Sequence, residues 1–142
     1  QYSQSRDGML YTPEMSRRAR GIELWATLKY LGKSGVQDIV DRLCAYARYF
    51  AQMLSENGFT VLNEVVFNQV LVKCETAGLT TATLQNIQSG GKCWCGGAGW
   101  HGEPVIRISV CSWQTTKGDI NACVEVFKQC RESSLINRLP NA

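Results

Sequence analysis

Several residues in this 142-residue chain are of types that do chemistry: seven cysteines, one histidine, a glycine-rich run and a set of arginines. Cys93-Trp94-Cys95 followed by His101 has the look of a metal site. A structural zinc needs four ligands in a closed tetrahedron. The chain holds one His and no second paired Cys cluster, so no metal site is expected. The same pair lacks the helix-borne C-x-x-C spacing of redox motifs. Cys93 and Cys95 are therefore expected to be ordinary loop thiols. Cys44, Cys74, Cys111 and Cys123 lie within apolar patterns, where a thiol acts as a small hydrophobe. With Cys130 the count is odd, so at least one thiol is unpaired in a monomer. A chain of this length forms a core without disulfides. Together these features point to a reducing, cytoplasmic protein.

Gly97-Ala98-Gly99-Trp100-His101-Gly102 matches G-x-G-x-x-G in letters. Pyrophosphate binding needs a helix N-terminus after the run, so that N–H groups face the anion. Here Pro104 and a strand pattern follow, and a flexible loop is expected instead. Arg17, Arg18 and Arg20, beside Arg6, form a basic cluster at the expected start of a helix. That end of a helix is electropositive, so an acid is expected to compensate, supplied elsewhere in a larger protein. No Ser/His/Asp grouping and no paired-carboxylate signature is present. Arg107 is a charge inside a strand pattern. It is either a half-exposed residue paired with a carboxylate or an anion-binding guanidinium aimed into a cleft.

Composition bounds the scaffold. Lys plus Arg is 15 against 12 for Asp plus Glu, and an excess of +3 is too small to argue for nucleic acid. Apolar residues make up 44% and charged residues 19%, which is globular rather than disordered. No run approaches 18 apolar residues, so no membrane-spanning helix is expected. Gln1 in place of Met, with a polar segment to Leu10, points to a fragment or processed product without a signal peptide.

The elements follow from periodicity. Residues 1–15 read as an arm. Thr12 or Ser16 is expected to open a helix whose buried face is Ile22, Leu24, Trp25, Leu28 and Leu31, closed by Gly32. A second helix from Ser34-Gly35 to Asn57-Gly58 is expected to bury Ile39, Val40, Leu43, Tyr46, Ala47, Phe50, Met53 and Leu54. That helix is long, with mixed charge on its outer face, and does not suit a DNA-binding helix-turn-helix. Strands are expected at Phe59–Leu62 and Val65–Cys74 across a tight Asn63-Glu64 turn. Thr80 or Thr81 is expected to cap a short helix bearing Leu84 and Ile87. Residues 89–102 read as a loop, or a loop flanking a short strand. The next strand alternates, with Ile106, Ile108 and Val110 on one face and Val105, Arg107 and Ser109 on the other. Thr116 and Asp119 resemble a capping box before a helix with Ile120, Cys123, Val124 and Phe127. The order predicts an α+β fold, a small antiparallel sheet covered mainly on one face by helices. Residues 16–132 would form that domain and 133–142 a tail.

Three stretches together resemble a known family. They are Tyr11-Thr12-Pro13-Glu14-Met15-Ser16-Arg17-Arg18-Ala19-Arg20-Gly21 running on to Leu24-Trp25-Ala26-Thr27-Leu28, then Val61-Leu62-Asn63-Glu64-Val65-Val66-Phe67-Asn68-Gln69-Val70, and Ile106-Arg107-Ile108-Ser109-Val110-Cys111-Ser112-Trp113-Gln114-Thr115-Thr116 with Asp119-Ile120 behind. Their order and spacing over about residues 10–131 resemble the C-terminal part of the pyridoxal-phosphate-dependent group II decarboxylases, such as glutamate, aromatic amino acid and histidine decarboxylases. The resemblance implies the C-terminal small domain of a fold-type I, aspartate-aminotransferase-like subunit. It implies a parent that is a homodimeric, cytoplasmic carbon–carbon lyase of carboxylic acid metabolism, acting on an amino acid as its small-molecule substrate, with no nucleic-acid or membrane partner. The alternative is a stand-alone, non-catalytic binding or dimerisation module. In the family, pyridoxal phosphate joins a lysine next to a histidine, in the large domain. Lys29, Lys33, Lys73, Lys92, Lys117 and Lys128 do not follow a His. The cofactor is thus implied for the full-length parent and not for this chain alone, which carries no catalytic, cofactor-binding or metal residue. Only Arg107 is carried over, as a residue that holds a substrate carboxylate. His101 has no matching role.

Overall fold

A computed structural model describes residues 18–136 of the chain. Two units are distinct, residues 1–36 and 37–142. Thr12, Ser16, Arg6, Arg17 and the arm lie outside the described residues.

Helix α1 runs Gly21–Glu56 and leaves helical geometry at Gly32 (φ 63°, ψ −173°). The break falls where the sequence places it, at a residue that tolerates positive φ. In the first unit, the stripe expected to be buried is open. Ile22, Leu24, Trp25 and Leu28 are 47–65% exposed. A lone helix has no second layer of its own to bury them against. Arg18 pairs with Glu23, five residues on, so the compensating acid is local.

In the second unit, α1 buries Cys44, Ala47, Phe50, Ala51 and Leu54, with Leu43, Tyr46 and Met53 packed beside them. Val40 is exposed, against expectation, because the core does not extend one turn further back. Strand β1 (Thr60–Val61) pairs with β2 (Gln69–Lys73), β2 with β4 (Glu103–Ser109), and β4 with β3 (Gly96–Trp100). All pairs are antiparallel and the order is β1-β2-β4-β3. Val65–Asn68, expected in a strand, is loop, with Val66 and Phe67 exposed. Asn63 spans that loop rather than making a tight turn. Its Nδ2 donates to the Gln69 carbonyl (3.1 Å) and its Oδ1 accepts from the Leu71 N–H (2.7 Å).

Helix α2 spans Ala77–Gly90. Its cap is Thr76, whose hydroxyl accepts from the Leu79 N–H at 3.2 Å. Thr80, one of the expected caps, lies inside the helix. Its buried hydroxyl accepts from the Cys74 N–H (3.0 Å) and donates to the Thr76 carbonyl (2.9 Å). The glycine-rich run is a β-hairpin, not a nucleotide loop. His101 (φ 49°) and Gly102 (φ 83°) form its two-residue turn between Trp100 and Glu103. Positive φ at both positions is the mirror-type turn that suits strand twist.

Helix α3 spans Lys117–Ile136. The capping box is present: the Thr116 N–H donates to Asp119 Oδ2 (2.8 Å) and the Asp119 N–H donates to Thr116 Oγ1 (3.2 Å). The helix continues past residue 133, where the tail was expected. Ser134 is buried and accepts from Asn86 Nδ2 (2.9 Å), fastening this last turn to α2. Val70, Val72, Ile106 and Ile108 form the inner sheet face and share one core with α1, α2 and α3. At its centre Phe127 meets Phe50 and Phe59 edge to face, both at 5.7 Å. The fold is α+β, an open antiparallel sheet with its helices on one face.

Candidate anion-binding site

Strand alternation decides what the uncovered sheet face displays. Val70 pairs with Ile108 and Val72 with Ile106 on the inner face, so Leu71 and Arg107 pair on the outer one. Arg107 and Ser109 are exposed there, as the alternation predicts. Val105, of the same parity, is buried outside the main core.

Arg107 sits on β4 opposite Gly96 of β3. Its guanidinium lies across that glycine: a Cβ at Gly96 would stand 3.7 Å from Nη2 and 3.9 Å from Nε. A longer side chain at Gly96 would compete for the space above β3. Among the described residues no carboxylate pairs with Arg107, whereas Lys73 on the neighbouring strand is held by Glu103 at 2.5 Å. The structural ion pair, one of the two readings from sequence, is thus not formed among these residues. What remains is a guanidinium with donors in a fixed fork on a paired strand, suited to two parallel hydrogen bonds with a carboxylate.

A lysine that forms a Schiff base is made nucleophilic by desolvation or by a neighbouring cation. Lys29, Lys33 and Lys92 are exposed, Lys73 and Lys128 are paired with Glu103 and Glu125, and Lys117 lies 4.4 Å from the centre of the Tyr49 ring. His101 is separated from Cys95 by the whole of β3, about 17 Å at 3.4 Å per residue. His101 thus lies apart from Cys95, and among the described residues no group of His, Cys, Asp and Glu is arranged to hold a metal. His101 instead stands edge-on to Trp100 at 5.0 Å.

The cysteines depart from expectation. Cys95 is buried in the core and its carbonyl accepts from Gln88 Nε2 (2.9 Å), while Cys111 is exposed. Cys93 is half-buried beside Cys123 of α3, so neither Cys93 nor Cys95 is an ordinary loop thiol. The neighbouring Cys93 thiol lowers the Cys123 pKa to about 7, and Cys123 together with burial pushes the Cys93 thiol up. Burial pushes Cys95 up to about 12. A contact across 30 residues carries no sequence signal beyond two thiols at core-facing positions.

No family model matches the chain. Solved structures do. The chain superimposes on tryptophan decarboxylase from Catharanthus roseus in complex with L-tryptophan at a TM-score of 0.75 and 17% identity, covering 82% of this chain and 27% of that one. Mouse CSAD in apo form gives 0.74 and 18%, covering 92% and 32%. The glutamate decarboxylase domain of a diaminobutyrate-pyruvate transaminase and L-2,4-diaminobutyrate decarboxylase from Vibrio parahaemolyticus gives 0.72 and 20%, covering 82% and 27%. The fold is that of one part of each of these solved structures. The chain spans less than a third of the length of each of these proteins. Among its described residues no helix is long and apolar enough to cross a membrane.

Proposed function

We propose that this chain is the C-terminal small domain of a pyridoxal-phosphate-dependent amino acid decarboxylase, and that Arg107 holds a carboxylate of the substrate. The observation that carries the reading is the Arg107 guanidinium, exposed on the outer sheet face with no carboxylate paired to it among the described residues. Its strand fixes the backbone that carries the guanidinium and the glycine opposite leaves room beside it, so the domain binds and orients one end of an amino acid. The cofactor, which supplies an electron sink for the carbanion left by loss of CO2, belongs on this reading to a large domain. The open Ile22, Trp25 and Leu28 stripe supports a packing role against that large domain, within a homodimer. Seven free thiols suit a cytoplasmic setting. On this reading the domain is not catalytic alone.

The test is Arg107→Lys in the full-length parent, by steady-state kinetics and a thermal melt. Lysine keeps the charge and loses the fork. Charge-assisted hydrogen bonds contribute about 1.5–3 kcal/mol, so kcat/KM should fall roughly ten- to a hundred-fold, at about 1.4 kcal/mol per factor of ten. The melt should stay within about 2 °C, since an exposed, unpaired residue contributes little to stability. Unchanged kinetics with a lowered melting point would show Arg107 to be structural.

A further inference from the structure

Strand β3 is the long edge of the sheet. The order β1-β2-β4-β3 leaves one side of β3 without a partner strand among the described residues, while the opposite edge, β1, has only two residues. Native proteins commonly guard such an edge with Lys, Pro or a bulge. Gly96-Gly97-Ala98-Gly99-Trp100 carries no charge and no Pro, and its register against β4 is unbroken. Gly97 and Gly99 are exposed.

The hairpin fixes which backbone groups of β3 face outward. Its two-residue turn makes Trp100 and Glu103 a hydrogen-bonded pair, and alternation makes Ala98–Val105 and Gly96–Arg107 the next two. Gly99 then faces Pro104 in a pair that needs no N–H, which suits the proline. The N–H and C=O groups of Gly97 and Gly99 point to the open side, and among the described residues no other backbone group bonds to them. Packing accounts for Gly97, where a Cβ would meet Leu84 Cδ2 at 3.0 Å. It does not account for Gly99: a Cβ there meets nothing within 4 Å, and its φ is not positive. A strand glycine that its own chain does not require suits close approach by another backbone.

We infer that β3 pairs edge to edge with β3 of a second copy, antiparallel about a two-fold axis through Ala98. Gly97 then faces Gly99 of the second copy, and both such pairs exchange N–H···O=C bonds with every donor matched to an acceptor. The neighbouring registers fail. A two-fold at Gly97 sets Gly99 against Cys95, whose carbonyl is already engaged by Gln88 Nε2. A two-fold at Gly99 sets Gly97 against His101, which lies in the turn. The Ala98 register also puts Trp100 across from Gly96 of the second copy, on the outer sheet face. Gly96 is the residue beside which Arg107 lies, with Nη2 3.7 Å from a Cβ built there. The exposed Trp100 indole thus gains a glycine surface to cover and a guanidinium to meet, and the second copy contributes a wall beside Arg107. The contact uses only the second unit of the chain and does not depend on the decarboxylase reading.

Sedimentation equilibrium of the full chain, kept reduced and taken from micromolar to millimolar concentration, should show a monomer–dimer equilibrium. Gly99→Pro removes one outward N–H from each copy and sets a ring on the edge, so it should raise the dissociation constant roughly ten-fold or more. The hairpin should persist, since that N–H takes no part in the β3–β4 ladder; a circular-dichroism melt checks this. Ala98→Lys and Ala98→Glu test the register without touching a glycine. Each alone sets like charges face to face across the two-fold and should weaken the dimer, whereas an equimolar mixture of the two should associate more tightly than either. A chain that stays monomeric, a dimer that folded Gly99→Pro leaves unchanged, or a Lys/Glu mixture no more associated than its components would each overturn the proposal. A monomer whose Gly97 and Gly99 amides are protected from hydrogen exchange would assign the edge to another segment of the same chain, and would overturn it as well.

Discussion

Phe127→Ala is the substitution expected to damage the second unit most. Phe127 is 1% exposed and stands between Phe50 and Phe59, with ring planes at 70° and 68°. The three rings come from α3, α1 and the residue before β1, so three separate elements would have to move to fill the vacated space. A poorly collapsing aromatic cavity costs about 3–5 kcal/mol, and the two ring walls, carried on separate elements, favour the upper part of that range. Phe127→Leu restores most of the volume and loses only the two edge-to-face pairs, at about 0.5–1.5 kcal/mol each. Urea unfolding followed by circular dichroism separates the two. At a slope of about 2 kcal/mol per molar, the Ala midpoint should fall by roughly 2 M and the Leu midpoint by roughly 1 M, with the slope unchanged. Equal shifts for the two variants, or an Ala shift below about 0.5 M, would refute the packing argument.

Thr116→Ala should cost about 1 kcal/mol by removing the cap of α3, read as a drop of a few degrees in the melting point at neutral pH. The Thr116 side chain and N–H hold the Asp119 pKa below its usual value, so the stability from this ionised box is fully present above the ordinary carboxylate range. It is lost as pH falls through the depressed value, and the gap between wild type and Thr116→Ala should narrow in acid; a gap that stays constant would argue against it. Gly102→Ala should cost about 1–2 kcal/mol, because φ of +83° puts a Cβ against the following carbonyl. His101→Asn should be neutral or mildly stabilising in the same melts, and a destabilised Asn variant would contradict the turn assignment.

Much of the fold was legible because it rests on local rules. The Ile106/Ile108 face, the Thr116–Asp119 box and the break at Gly32 each depend on residues within a few positions of one another. The errors arose where distant groups decide. Thr80 reads as a cap, but the Cys74 N–H recruits its hydroxyl from outside the helix. Val65–Asn68 has strand composition, yet Asn63 takes over hydrogen bonding to Gln69 and Leu71 and leaves that stretch as loop. The Ile22–Leu28 stripe was correctly periodic; periodicity reports that a face is apolar, not whether this chain supplies what covers it. For the site, parity placed Arg107 on the outer face, whereas the missing carboxylate partner and the glycine beneath it required the strand register.

The strand order also determines how still Arg107 is. β4 is paired on both sides, to β2 along Gln69–Val72 and to β3 along Gly96–Trp100. Releasing its amides to solvent requires breaking two ladders at once, so they belong among the last in this unit to exchange hydrogen for deuterium. An anion arriving at Arg107 therefore meets a backbone already ordered, and only side-chain rotamers remain to be restrained. If Arg107 binds an anion as proposed, the entropic penalty of capture is smaller than at a guanidinium carried on a mobile loop, because the backbone share of it is already met.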